Sequence, residues 1–321
     1  MTRQDGSEAV SFQRARSDLG REIAALRTHP RFALAIRLGS WVLVAASALF
    51  LVTVAARHWD ELTRVALTGP QWAVLAVLAV LVVVYGAALF LLGLAWHGVL
   101  LALDARPHSL VHSVRSHTTA QLAKYVPGNV FHFVGRHLMH SARGGDDKRL
   151  ALAAVVENGL LVLAAVAVSL ACLAFGADAG IRPLTLALGL TFAAGLAVAV
   201  LFAARLNGPQ RGSAIAAFAA MLGFFTVMAG VLVALGQMVG LGTSPALAGG
   251  GIAAWIAGFL TPGAPGGLGI REAVMVIAGG GGASADKLLM LGVLLRVVTF
   301  GGDVLCALAG RALPVAPDLE S

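Results

Sequence analysis

Apolar residues run along this chain in blocks, not in stripes. Leu38–Ala56, Trp72–Leu103, Leu150–Phe175, Leu184–Ala204, Ala214–Leu241 and Leu288–Gly310 are nearly unbroken apolar runs. Each has about the 20 residues a helix needs to cross a bilayer, or more. Helices apolar on every side are buried in protein or in lipid, so the pattern predicts six spanning helices. Two further apolar stretches, 118–141 and 246–282, are interrupted. The first contains TTAQLAKYVPGNVFHFVGRHLMH and the second AAWIAGFLTPGAPGGLGIREAVMV. Each reads as a half-length helix, a Pro-Gly break and a second half-length helix, because Pro ends a helix and Gly permits close approach or unusual backbone angles. Non-helical backbone at membrane depth survives only where protein or a wet cavity covers it. The breaks therefore predict a cavity.

The two stretches correspond. Arg136 follows Pro127-Gly128 by nine residues from the Pro, and Arg271 follows Pro262-Gly263 at the same distance. Each broken stretch lies between two spans, and the two units run in opposite senses. This is the pattern of an inverted-topology repeat, in which paired broken segments point to a transporter's binding site. The expected fold is all-α: a polytopic helical membrane protein with six full spans and two Pro/Gly-broken re-entrant hairpins. A pair of full crossings in each broken stretch would give the same sidedness.

Composition sharpens this picture. Of 321 residues 58% are hydrophobic and only 12% charged, about half the charge of a typical soluble domain. Mean hydropathy is +0.85. These values exclude a soluble enzyme, a disordered chain and a disulfide scaffold. The net charge of +7 does not indicate nucleic acid, because it follows the positive-inside rule. Residues 1–37 hold Arg3, Arg14, Arg16, Arg21, Arg27, Arg31 and Arg37, which places the N-terminus in the cytoplasm. The later basic loops alternate so that the C-terminus is cytoplasmic too. Residues 1–37 form a basic N-terminal segment, with 11–36 readable as an amphipathic interfacial helix or as a topology signal alone. Residues 38–312 form one integral membrane domain, and 313–321 a cytoplasmic tail. No cleavable signal pattern is evident. Cys172 and Cys306 lie within spans and read as packing residues.

Ionisable groups at depth cost at least about 2.5–3.5 kcal/mol each, so each needs a partner or a wet cavity. The first hairpin carries Gln121, Lys124, Tyr125, Asn129, His132 and Arg136. The next span holds Glu157 and Asn158, the second hairpin Arg271 and Glu272, and the last span Arg296 and Asp303. Arg and Lys suit a phosphate, the one as a planar fork and the other as a point charge. Internal pairing is the competing role: Arg136 with Glu157, Arg271 with Glu272 or Asp303, and Arg296 with any of these carboxylates. PGAPGGLG lacks the context of a nucleotide-binding loop. The histidine sets His108, His112, His117 and His132, His137, His140 suggest interfacial hydrogen bonding more than a metal site. Asp60-Glu61 reads as a solvated helix end beside Trp59, with an acidic catalytic role the lesser alternative. No metal or cofactor is expected.

QLAKYVPGNVFHFVGR, VVENGLLVL, FLTPGAPGGLGIREAVMV and LGVLLRVVTFGGD together resemble the transmembrane part of the lysylphosphatidylglycerol synthase/flippase family, over about residues 38–312. The resemblance implies a bacterial inner-membrane protein that translocates a lipid. It implies a headgroup site at Lys124, Tyr125, Pro127, Gly128, Arg136, Glu157, Pro262, Gly263, Gly266, Gly267, Gly269, Arg271, Glu272 and Arg296. The chain ends soon after Gly310, without room for the family's aminoacyl-transferase domain, so the synthase activity is not carried over. The expected partners are a membrane lipid substrate and the bilayer, with a homodimer or an envelope-biosynthesis partner as a further expectation and no nucleic acid. Transport would be downhill or ion-coupled, with Glu157 a candidate proton-linked group. A membrane transferase acting on a lipid-phosphate-linked substrate is the alternative, and a non-catalytic scaffold a third.

Overall fold

The computed structural model describes residues 71–105, 109–125, 131–175, 182–261, 270–278 and 284–314, with the backbone alone at Gln71, 182–184, Glu272 and Ala285. The chain divides into Met1–Ser47 and Ala48–Ser321, and every described residue belongs to the latter stretch. The expected span Leu38–Ala56, the segment 11–36, the Asp60-Glu61 pair and the tail beyond residue 314 lie outside the described residues. So do Pro127, Gly128 and Asn129 in the first break, and Pro262, Gly263, Gly266, Gly267 and Gly269 in the second.

Among the described residues there are nine α-helices and no strand. They are α1 (Gln71–Ala102), α2 (Leu110–Ala120), α3 (Phe131–Ser141), α4 (Asp147–Ala174), α5 (Arg182–Ala203), α6 (Gly208–Met238), α7 (Pro245–Leu260), α8 (Ile270–Ala278) and α9 (Ala285–Ala312). A 3-10 turn, Gln121–Tyr125, continues α2 toward the first break. Five stretches are long and apolar enough to cross a membrane: Trp72–Ala102, Asp147–Ala174, Thr185–Ala203, Gly208–Met238 and Asp286–Ala312. The protein is therefore a multi-pass membrane protein by helix length and composition. Each broken stretch supplies two shorter helices, α2 and α3 in the first and α7 and α8 in the second.

The helices outrun the apolar blocks because their first turns are polar. α6 begins at Gly208, six residues ahead of the apolar run expected to open it. Asn207 and Gln210 form a reciprocal capping box there, with a Pro in the first turn. It ends three residues early, at Met238. Gly240 adopts φ +69°, and the Gly240 and Leu241 N–H groups donate back to the carbonyls of Gln237 and Gly236 at 3.0 and 2.8 Å. That closure uses a left-handed residue, which glycine supplies without strain. Asp146 likewise caps α4 by accepting from the Lys148 and Arg149 N–H groups. α2 starts at Leu110, eight residues before the expected stretch, because the Ser109 side chain caps it through the His112 N–H.

Packing links the two units reciprocally. The first unit is α1, the α2/α3 hairpin and α4; the second is α6, the α7/α8 hairpin and α9. α1 lies along α6 over a core that includes Trp96, Met221, Phe224, Phe225 and Met228. α2 packs on α9, the closing helix of the other unit, and α7 packs on α4 in the same way. Ser169 on α4 donates its hydroxyl to the Gly249 carbonyl on α7 at 2.8 Å. α5 packs against α4 and leaves Leu186, Leu190, Val198 and Leu201 about two-thirds exposed, as a helix facing lipid would.

α1 and α9 cross backbone to backbone. A Cβ built on Gly302 would lie 2.9 Å from the Gly86 nitrogen and 3.1 Å from the Val82 carbonyl oxygen. Gly159 on α4 has nothing within 4 Å of its own built Cβ. Gly302→Ala should therefore destabilise the detergent-solubilised protein by about 1–3 kcal/mol, the usual cost of overpacking. Gly159→Ala should leave it unchanged or stabilise it by under about 1 kcal/mol. Thermal unfolding of both variants checks this; equal midpoints would refute the tight crossing.

Candidate functional site

The charged side chains expected at depth converge around the first hairpin. Arg136 sits in the second turn of α3 and is 3% exposed. Its Nη1 donates to Glu157 Oε1 at 2.7 Å, and Nη2 donates to Glu157 Oε2. This bidentate fork is the strong form of an Arg–carboxylate contact. The guanidinium carbon also lies 3.9 Å from the ring centroid of Trp96 on α1, a cation–π contact strengthened by burial. Trp96 is held in turn. Its Nε1–H donates to His140 Nε2 at 3.0 Å, and the Ser116 hydroxyl lies 2.9 Å from the same nitrogen. α1, α2, α3 and α4 thus each contribute a side chain to positioning one cation.

A second pair lies before the break. Lys124 Nζ stands 2.7 Å from both carboxylate oxygens of Asp303, and the Tyr125 hydroxyl donates to Oδ2 at 2.6 Å. Asp303 is completely buried, and Tyr125 packs edge-on against Phe300, one turn earlier on α9. The Pro-Gly break is therefore flanked by two charge pairs. One fastens its near side to α9, and the other its far side to α4.

The two carboxylates lie at matching depths. Glu157 is ten residues from the start of α4 and Asp303 nine from the end of α9, about 15 and 14 Å along the axes. Those helix ends lie together. Arg149 at the start of α4 bonds Asp104 just beyond α1, and Arg115 on α2 donates to the Leu313 carbonyl just beyond α9, at 2.6 Å. α4 and α9 each have 28 residues, about 42 Å, so both carboxylates fall about a third of the way along from these ends.

The second hairpin contributes Arg271, in the first turn of α8, which lies 5.9 Å from the Trp255 ring on α7. Trp255 stacks on Phe259 with centroids 4.9 Å apart. Arg296 is half-buried on α9, two turns before Asp303. Gln121 is buried and Asn158 donates to the Ala154 carbonyl within its own helix. Lys124 and Tyr125 thus meet on Asp303, and Arg136 meets Glu157. Asn129 and the Glu272 side chain lie outside the described residues.

Three features were absent from the sequence reading or differ from it. Lys124 and Tyr125 hold Asp303 across more than 170 residues, a pairing no spacing rule encodes. Trp96 was hidden inside an apolar block, and its one signal was the neighbouring His97. Of the histidines expected to hydrogen-bond at the interface, His112, His117 and His140 are buried in protein, His140 Nε2 facing Trp96 and Ser116, while His137 lies 3.0 Å from the Asp147 carboxylate. Among the described residues no three His, Cys, Asp or Glu side chains are grouped to hold a metal ion. No family model, curated protein or solved structure matches this chain.

Arg136→Leu leaves Glu157 buried without its cation and should cost about 3–5 kcal/mol. Replacing both, Arg136→Leu with Glu157→Leu, should recover most of that loss, since two apolar side chains leave no stranded charge. A double-mutant cycle on unfolding in detergent reads the coupling. Additive losses would show that the pair contributes nothing to stability.

Proposed function

We propose that this protein is a lipid translocator of the bacterial inner membrane, with both termini in the cytoplasm and two re-entrant hairpins related by an inverted repeat. The substrate is a lipid with an anionic headgroup: a phospholipid or a polyprenyl-phosphate-linked sugar. The carrying observation is that two cations of the first hairpin, Lys124 and Arg136, are paired with buried carboxylates inside an apolar helical bundle, while the second hairpin carries Arg271. Charge at that depth is expensive and marks substrate pathways in membrane proteins. The reciprocal packing of α2 on α9 and α7 on α4 supports the repeat. The motif resemblance to the lysylphosphatidylglycerol synthase/flippase transmembrane part supports the substrate class.

In this reading the headgroup enters between the hairpins while its chains stay in lipid. Arg271 and Lys124 meet the phosphate, and Arg136 joins them by leaving Glu157. The ligand thus exchanges one ionic partner for another and is never stripped of all of them. Alternating exposure of the two hairpins carries the headgroup between leaflets. A homodimer or an envelope-biosynthesis partner is compatible with the exposed face of α5.

Translocation of fluorescent phosphatidylglycerol in reconstituted vesicles, read by quenching of the outer leaflet, tests the proposal. Losing a hydrogen-bonded charge contact worth about 1.5–3 kcal/mol corresponds to a ten- to hundredfold loss of rate. Arg271→Ala should show it, and Arg136→Lys, which keeps charge but loses the fork, should be slowed as well. Wild-type rates in both variants would refute the site. A transferase would instead turn a labelled lipid-linked donor into a new labelled product.

A further inference from the structure

Glu157 has a second neighbour. Its Oε1 lies 3.7 Å from Nε2 of His117, which sits on α2, on the far side of the break from Arg136. The other ring nitrogen of His117, Nδ1, is buried and has no hydrogen-bond partner among the described residues. A buried imidazole nitrogen without a partner is costly.

The charges around His117 change with the position of Arg136. From α3, Arg136 and His132 act on His117, and from the 3-10 turn Lys124 does so. α4 contributes Glu157. α1 contributes His97, which is engaged with Ser113, and on α9 Asp303 is engaged by Lys124 and Tyr125. With Arg136 on Glu157, the carboxylate is already neutralised, and a second cation beside it has no counter-charge left to pair with. With Arg136 moved to a phosphate, Glu157 becomes a buried carboxylate without its counter-charge. His117 Nε2, 3.7 Å from Oε1, is then placed to carry a proton that pairs with it.

We infer that His117 and Glu157 form a proton-binding site opposite Arg136, which takes up one proton each time Arg136 transfers from Glu157 to an anionic ligand. In the uptake step a hydronium ion gives its proton to His117 Nε2, an N–H bond forms and water is left. The imidazolium then pairs with Glu157. On the return of Arg136 the proton goes back to water. The inference rests on the translocator reading and adds its coupling ion: the anionic headgroup and a proton load together. The ligand chemistry required is a phosphate, supplied by a lipid headgroup or by a free phosphomonoester.

Calorimetric titration of the full-length protein in detergent tests this, with dihexanoyl-phosphatidylglycerol in one arm and glycerol 3-phosphate in the other. Each arm is run in two buffers of different ionisation enthalpy, so that the difference counts protons. Uptake of about one proton per ligand at neutral pH, with affinity rising up to about tenfold per pH unit lowered, is expected. Uptake in both arms or in the lipid arm alone supports the site and tells which source of phosphate it accepts. The proton count per bound ligand should fall to near zero in His117→Gln and in Glu157→Gln. Wild-type binding without proton uptake, or a count unchanged in both variants, overturns the coupling and leaves the translocator reading standing. Binding of neither ligand overturns both.

Discussion

Arg136 reaches Glu157 from the helix beyond the first break, and the geometry of the first hairpin follows from that reach. A guanidinium among apolar helices must have its counter-charge within contact, because a stranded buried charge costs several kcal/mol. α3 is therefore drawn against α4 at one depth. Trp96 supports the guanidinium from α1, and His140 and Ser116 fix Trp96. Removing the pair would also remove the reason for this buried His–Ser–Trp group, which otherwise places polar atoms in a core of Leu, Phe and Met. The hairpin is short and its two helices have 11 residues each, too few to be stable alone. Its order comes from what it touches.

Reciprocity extends that logic to the whole bundle. α2 rests on α9 and α7 on α4, so the packing of each unit is completed by the other. Each hairpin is seated on the last helix of the other unit, and α1 and α6 supply the common axis. Small residues make these seats possible, since Gly249 meets Ser169 and Gly302 meets Gly86 at distances no Cβ would allow. Lipid offers helices little hydrophobic drive to associate, so close backbone approach and inter-helix hydrogen bonds carry the load. The charge pairs stand on this same exchange. Asp303 lies one residue after Gly302, so the carboxylate that receives Lys124 is held at the close backbone crossing of α1 and α9.

Much of the architecture was legible because lipid imposes a simple rule on sequence. Apolar blocks marked the four described spans from α4 onward and α1 to within a few residues in most cases, and the Pro-Gly interruptions marked both pairs of short helices. Where the reading slipped, the cause was chemistry the apolar rule ignores. The capping box of Asn207 and Gln210 began α6 early, and Ser109 began α2 early. In the site, Arg136 and Glu157 were recognisable as mutual partners because each is the nearest opposite charge at depth along the chain. The contact of Lys124 and Tyr125 with Asp303 was not, since only the seating of the first hairpin on the second unit's closing helix brings them together. The burial of His112, His117 and His140 was equally invisible, because a histidine's partners decide whether it faces water.

The two charge pairs cannot open in a single step under the translocator reading. Breaking one buried pair costs about 3–5 kcal/mol, so breaking both costs about 6–10 kcal/mol. A phosphate that accepts two charge-assisted hydrogen bonds returns about 3–6 kcal/mol, enough for one pair and short of two. The order follows from the partners. Asp303 keeps its Tyr125 hydrogen bond as well as Lys124 and is sealed at the α1–α9 crossing. Glu157 depends on Arg136 alone for its strong contacts, with His117 one short movement away. Arg136 also offers the planar fork that phosphate geometry favours. The pair beyond the break is thus the one a headgroup can open, while the pair before it holds the 3-10 turn on α9. The hairpin would then pivot about its Lys124–Tyr125 end.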